Sequence, residues 1–310
     1  MTTSLTLGAF SPSVVLRVAR RTGRLAEAGL KVSEVSVQSS PGQFRSLLDG
    51  ALDAALTSPD NVVAYRFCPD NPLGATADVQ IVSAVDRGLG LGLYGRPGMQ
   101  TADQLRGARL GVDVATSGFA FALFRLAESL GVQPTEYQTV TLGSTPRRLA
   151  ALLASKCDAT MLNAGSELKA EAAGCRLLAG LVDVCKPYVG TVVAIAGDTR
   201  LSAANDLASA LAATTGDIVS GAVDDVAVQE ATSALGLPAL MARRYLEVLK
   251  DPDTGLVLDG RIDMVALRTV VELRRRYLPQ VVDGVDVLSS ALDVAQGLLS
   301  RPDFATPVQH

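Results

Sequence analysis

Apolar residues along this chain follow two alternating rhythms. Short dense runs predict buried strands: SLTLGA (residues 4–9), the segment from Leu30 to Val37, DVQIVSAVD (78–86) and YVGTVVAIAG (188–197). Between them the spacing becomes helical. Residues 12–28 place Val14, Val15, Val18 and Leu25 on one side and basic residues on the other. Further on, the pattern predicts a helix over 41–50, a strand over 52–57 and a helix over 59–66 that starts at TSPD. A short helix near 101–106, a strand at 108–113, a helix from Gly118 to Leu130 and a strand at 138–142 follow. Then come a helix at 145–155, a strand at 158–162 and a short strand at 175–181. Beyond residue 200 the pattern is helical only, over about 201–217, 223–235, 238–250, 263–277 and 284–299, with a turn-rich loop at 251–263 and a frayed end, RPDFATPVQH. Strands alternating with helices predict an α/β fold with mainly parallel sheets.

One stretch of this pattern occurs twice. SSPGQFRSLLDGALDA (39–54) and STPRRLAALLASKCDA (144–159) align without a gap at an offset of 105 residues. Ser39/Ser144, Pro41/Pro146, Leu47/Leu152, Leu48/Leu153, Asp53/Asp158 and Ala54/Ala159 are identical. Upstream, LTLGAFSP (5–12) and ARLGVDVATSG (108–118) match as strand, loop and helix start. The period is too long for a solenoid and about one domain long. The chain therefore reads as two pseudo-repeated lobes. The first is built from 1–87 plus 190–310 and carries the C-terminal helices; the second is 88–189. The glycine-dense GLGLGLYGRPG (88–98) fits a strand with close backbone approach, or a crossover between lobes. It lacks the spacing and the following helix of a dinucleotide fingerprint.

Composition narrows the function. Net charge is −4 with Lys and Arg scattered, Trp is absent, and the run Arg274–Arg276 lies on a predicted helix, so nucleic acid is a poor partner. Cys68, Cys157, Cys175 and Cys185 have no CxxC spacing, and the one histidine is His310, so neither a metal site nor histidine-based catalysis is expected. No cofactor is expected. The apolar runs are too short and broken to insert in a membrane. No basic n-region and apolar h-region precede the first strand, so the chain as written reads as cytoplasmic, or as periplasmic or extracellular if a leader was removed.

Ligands on such sheets sit beyond the carboxyl ends of the strands. The loops there carry Phe10, Ser11 and Ser13; Ser39 and Ser40; Thr57, Ser58 and Asn61; Thr116, Ser117 and Gly118; and Asn163. Several open helices, where free N–H groups and the positive dipole end favour an anion such as a sulfonate, sulfinate, carboxylate or phosphate. The same serines and threonines are also ordinary N-caps. Arg87, at the end of the strand at 78–86, offers a two-pronged donor to an anion, or pairs with Asp86 or solvent.

LLDGALDAALTSPDNVVAY (47–65), DQLRGARLGVDVATSGFAFALFRLAESLGV (103–132) and TLGSTPRRLAALLASKCDATMLNAG (141–165) together resemble the type II periplasmic-binding-protein superfamily. The branch they resemble holds nitrate-, taurine- and alkanesulfonate-binding proteins and thiamine-pyrimidine-synthase-like proteins. The resemblance implies two lobes joined by two crossovers, closing on a small-molecule ligand by hinge motion, with Ser11, Ser58, Thr116, Ser117 and Asn163 in the cleft. It also implies an ABC permease as partner if the protein is exported. The expected function is a small-molecule binding protein for an anionic, sulfonate- or carboxylate-like ligand, with no catalytic residue assigned. The alternative is a cytoplasmic enzyme on the same scaffold, desulfinase-, decarboxylase- or lyase-like, acting on a small aromatic acid without a catalytic histidine. Asp60, Asp86 and Arg87 are then its candidates. A third reading is a ligand-sensing regulatory protein.

Overall fold

The computed structural model describes residues 2–282, 284–301, 305 and 306. Strand β1 (Thr3–Ala9) leads into α1 (Val14–Arg21) and α2 (Arg24–Glu27). Sequence predicts one helix here. Gly23, at φ 87°, breaks it because only the left-handed conformation lets the chain turn between the two pieces. Then come β2 (Leu30–Ser36), α3 (Ser40–Leu48), β3 (Ala54–Thr57), α4 (Pro59–Phe67) and β4 (Val79–Asp86). The chain crosses over into β5 (Gly92–Gly95), β6 (Arg109–Val112), α5 (Gly118–Ser129), β7 (Gln138–Thr141), α6 (Thr145–Leu153), β8 (Ala159–Leu162), α7 (Ser166–Ala172) and β9 (Arg176–Gly180). It returns through β10 (Thr191–Ala196) to α8 (Leu201–Val219), α9 (Asp224–Leu235), α10 (Ala239–Lys250) and α11 (Met264–Tyr277).

These strands form two five-stranded sheets, ordered β2-β1-β3-β10-β4 and β7-β6-β8-β5-β9. In each, one strand is antiparallel to both neighbours: β10 against β3 and β4, and β5 against β8 and β9. That strand is in each case the one that arrives from the other lobe. The two orders superpose element for element, and the 105-residue offset carries α3 onto α6 and β3 onto β8 without a slip. The repeated aspartates have the same structural task. Asp53 Oδ2 accepts from Thr6 N at 2.7 Å, and Asp158 Oδ2 accepts from Arg109 N at 2.9 Å, each tying its strand to the neighbouring one.

The crossovers run back to back. Asp86 is buried, its Oδ1 accepts from Gly88 N at 2.8 Å, and its carbonyl accepts from Gly190 N at 2.9 Å. A side chain at Gly190 would collide with the Gly88 backbone, so a glycine is required there. The glycine-dense segment thus supplies both a crossover and a closely approached strand, β5.

Helices α8, α9 and α10 pack around α1 and the first sheet. Helix α11 instead lies against α4 of the first lobe and α5 of the second. Tyr277 stacks on Phe121 with ring centroids 6.1 Å apart and meets Phe124 edge-on at 5.5 Å. On the same helix the buried Arg274 grips Asp60 through Nε and Nη2, both at 2.7 Å, and donates to the Thr116 carbonyl at 3.0 Å. The tail therefore does more than cover one lobe. One continuous apolar cluster joins Phe44 and Val62 to Leu110, Phe121 and Leu267.

Two further features differ from the sequence expectation. The helix expected at 284–299 is replaced by a hairpin, Val281–Val282 with Val285–Asp286, and 3-10 turns at 287–292 and 294–296. Asp286 and Asp293 take the N–H groups of Leu288 and Ala295, which competes with helix propagation. Helix α7 was not expected, since it begins at Gly165 with no side-chain cap to announce it. At the chain end, Ala305–Thr306 pair with Ile262–Asp263. Residues 302–304 and 307–310, in the stretch predicted to fray, lie outside the described residues, and His310 with them.

Candidate functional site

Between the two sheets, beyond the carboxyl ends of β1, β3, β6 and β8, lies a cavity of about 120 Å³. Its walls take Phe10, Ser11 and Ser13 from the β1–α1 loop, Thr57 from the end of β3, Ser58 and Asn61 from the start of α4, Ser117 and Gly118 from the start of α5, and Asn163 from just beyond β8. These are nine of the sequence-expected positions, brought together by the pseudo-symmetric folding of two βα units per lobe. Apolar wall comes from Val15, Leu89, Phe119, Leu249 and Leu256.

Four helix starts, those of α1, α4, α5 and α6, meet at this cavity. At the first three, serines act as caps. Ser13 Oγ accepts from Leu16 N at 3.4 Å, Ser58 Oγ from Asp60 N at 3.3 Å, and Ser117 Oγ from Ala120 N at 3.2 Å. Each hydroxyl has its oxygen committed to the helix and its proton free to donate. The converging dipole ends make the cavity favourable to negative charge.

Four expected residues fall outside the wall. Ser39 caps α3, accepting from Gly42 N at 3.3 Å. Ser40 is buried behind the wall, where it favours the charged form of Asp113. The Thr116 side chain is exposed, and only its carbonyl is engaged, by Arg274. Arg87 turns away and donates from Nη1 to the Leu256 carbonyl at 2.7 Å, so it braces the crossover rather than reaching the cavity.

Sequence reasoning missed the groups that dominate the electrostatics. Arg148, on α6, lines the cavity at 2 % exposure. Nη1 donates to the Gly143 carbonyl at 2.7 Å and Nη2 to Thr145 Oγ1 at 2.9 Å, while Nε and Nη2 reach the Met161 carbonyl. All these acceptors are neutral. Among the described residues Arg148 forms no ion pair, and its second Nη1 hydrogen has no acceptor. Burial pulls its guanidinium down to about 10, and nearby Asp113 raises it. The repeat held a signal for it. Arg148 is the counterpart of Gln43, whose Nε2 donates to the Leu56 carbonyl at 3.1 Å, as Arg148 does to the equivalent Met161 carbonyl. A polar position buried in both copies carries a charge in only one.

Thr145 Oγ1 stands 3.5 Å from Asn163 Oδ1, and Asn163 Nδ2 donates to the Gly88 carbonyl at 3.0 Å. A hydrogen-bonded chain thus runs from Arg148 to the crossover. Two carboxyls share the wall. Burial pushes Asp86 up to about 6, against donors from Thr191 and Gly88 that lower it. Burial also raises Asp113, with Arg148 and Ser40 opposing. The lobes meet around the cavity: Ser144 N donates to the Gln38 carbonyl at 3.2 Å, and Gly118 lies so close to Asp60 that a Cβ there would fall 2.5 Å from the Asp60 Cβ.

No family model matches this chain, and no curated protein matches it. Solved structures do. The nitrate-binding protein NrtA from Synechocystis has a TM-score of 0.75 at 13% identity, covering 98% of this chain and 87% of that one. The alkanesulfonate-binding protein SsuA from Xanthomonas axonopodis pv. citri, bound to MOPS, has 0.68 at 16%, covering 98% of both chains. A ligand-binding component of an ABC-type import system from Staphylococcus aureus, with zinc bound, has 0.70 at 14%, covering 89% and 92%. The chain therefore has the type II periplasmic-binding-protein fold that its sequence resembles. Among the described residues no helix is long and apolar enough to cross a membrane, and no cluster of three His, Cys, Asp or Glu is placed to hold a metal.

Proposed function

We propose that this protein binds a small organic acid in the cavity between its lobes and closes on it, as the ligand-binding component of an import system. The two bodies that close are 1–87 with 190–310, and 88–189. The observation that carries the reading is Arg148: a buried guanidinium in the wall with only neutral acceptors, where four helix starts converge. A charge held this way calls for an anion to complete it. Sulfonate and carboxylate both match, since each presents several acceptors to Arg148 and to the serine hydroxyls. The named binding proteins of similar fold are consistent with this: one is an alkanesulfonate binder and one a nitrate binder. In this role the protein acts outside the cytoplasmic membrane and its partner is an ABC permease.

The test is recovery of bound compound. Purified protein is equilibrated with mixed sulfonates, sulfinates and carboxylates, desalted and denatured, and the released molecules are identified by mass spectrometry. An acid recovered with unchanged mass supports binding. Arg148→Gln, which removes one charge-assisted contact, should weaken its binding by roughly tenfold to a hundredfold. A compound recovered lighter by carbon dioxide or sulfur dioxide overturns the reading in favour of an enzyme.

A further inference from the structure

Asp113 follows β6 and lines the cavity at 7 % exposure, and its Oδ1 has no hydrogen-bond donor. Ser40, from the opposite lobe, favours the charged carboxylate, yet leaves that oxygen without a donor. Asp86, the other carboxylate of the wall, already has a donor in Gly88 N, and Thr191 also favours its charged form. Arg148 stands in the same wall without an ion pair, so no salt bridge joins it to Asp113. The cavity therefore presents one cation without an ion pair and one carboxylate oxygen without a donor, near enough to feel each other's charge but not in contact, with apolar surface from Phe10, Phe119 and Leu256.

A plain oxyanion satisfies only half of this. It answers Arg148 and the helix starts, but leaves a buried carboxylate oxygen unpaired and faces its charge. Resting on the organic-acid reading above, we infer that the ligand carries, besides its acidic group, a hydrogen-bond donor that Asp113 Oδ1 accepts: an amine or a ring N–H on a small apolar body. Asp113 is then the residue that sets specificity, because a site built to receive a donor rejects an analogue lacking it.

Matched pairs of acids that differ only in the donor provide the test. Pyrrole-2-carboxylate is set against furan-2-carboxylate, and 3-aminopropane-1-sulfonate against propane-1-sulfonate, by calorimetric titration of the wild-type protein, Asp113→Asn and Asp113→Ser. Thermal melts confirm that each variant is folded. Where a pair binds, the donor-bearing acid should bind wild type about tenfold to a hundredfold tighter, and the preference should vanish or reverse in the variants. Equal binding within each pair on wild type overturns the donor inference while the organic-acid reading stands. A preference that survives in both variants overturns the assignment to Asp113. If none of the four acids binds, the organic-acid reading itself falls, and this inference with it.

Discussion

Replacing Glu167 with Gln removes a carboxyl that the fold keeps against its chemistry. Glu167 lies in the first turn of α7 at 3 % exposure, with neither carboxyl oxygen in a hydrogen bond. Gly90 of the crossover is beside it, and Tyr94 and Tyr245 sense its charge. Burial, with Glu171 adding repulsion, pushes the carboxyl from 4.5 up to about 8, against lowering by the α7-start N–H groups and Arg244. The folded state thus holds a proton that the unfolded state releases above pH 4.5. Stability is fullest below that pH and falls as pH rises, by about 1.4 kcal/mol per unit, until the folded carboxyl also ionises near pH 8. At pH 7 the loss amounts to about 3 kcal/mol. Glu167→Gln should escape it. Burying the amide adds an offset that is constant with pH, so the quantity to follow is the change in the difference between the two proteins. Urea denaturation of both at half-unit intervals from pH 4.5 to 8 measures that difference. Asp86 also loses stability as pH rises, but it is present in both proteins and cancels. Curves that stay parallel across the range would refute the reasoning.

Asp60→Asn or Arg274→Met, each leaving a buried charge alone, should cost roughly 3–5 kcal/mol in urea denaturation, and Asp60→Leu with Arg274→Met should recover most of it. Ser117→Ala removes the cap of α5 and should lower stability by about 1 kcal/mol, whereas Thr116→Ala, whose side chain is exposed, should stay within about 0.5 kcal/mol; equal effects would contradict the cap geometry. Gly118→Ala drives a methyl against Asp60, which Arg274 holds in place. It should destabilise the protein by about 1–3 kcal/mol, and a variant as stable as wild type would show that the lobes do not meet there.

Much of the fold was legible because strands buried on both faces leave dense apolar runs, as in β4 and β10. The repeat made the two-lobe plan legible through Ser39/Ser144, Pro41/Pro146 and Asp53/Asp158, residues tied to helix starts and strand ends. The cavity loops were legible for a similar reason: Ser13, Ser58 and Ser117 cap helices that point into it. The charges were not. An arginine within a helix reads as part of a solvated face, and only its equivalence to the buried Gln43 marks Arg148 as internal. Asp113 is defined by a donor it lacks, which no local pattern records. Arg87 looked free because its acceptor, the Leu256 carbonyl, is 169 residues away in sequence. The bridging role of α11 was hidden likewise, since its partners Asp60 and Thr116 lie in two different lobes.

The position of β10 sets an order in time. The strands of the second sheet, β5 to β9, run without interruption from Gly92 to Gly180, so that sheet is complete as soon as those residues leave the ribosome. The first sheet is not. β3 and β4 are made early but are joined only through β10, and until Ala196 emerges each has an unpaired edge. The later lobe therefore assembles before the earlier one. Asp60 waits longer still, for Arg274 follows it by 214 residues, roughly 10–40 s of synthesis at common elongation rates. During that interval the nascent chain carries a bare sheet edge and an unpaired acid destined for burial. The closed cleft comes into existence only when nearly the whole chain has been made.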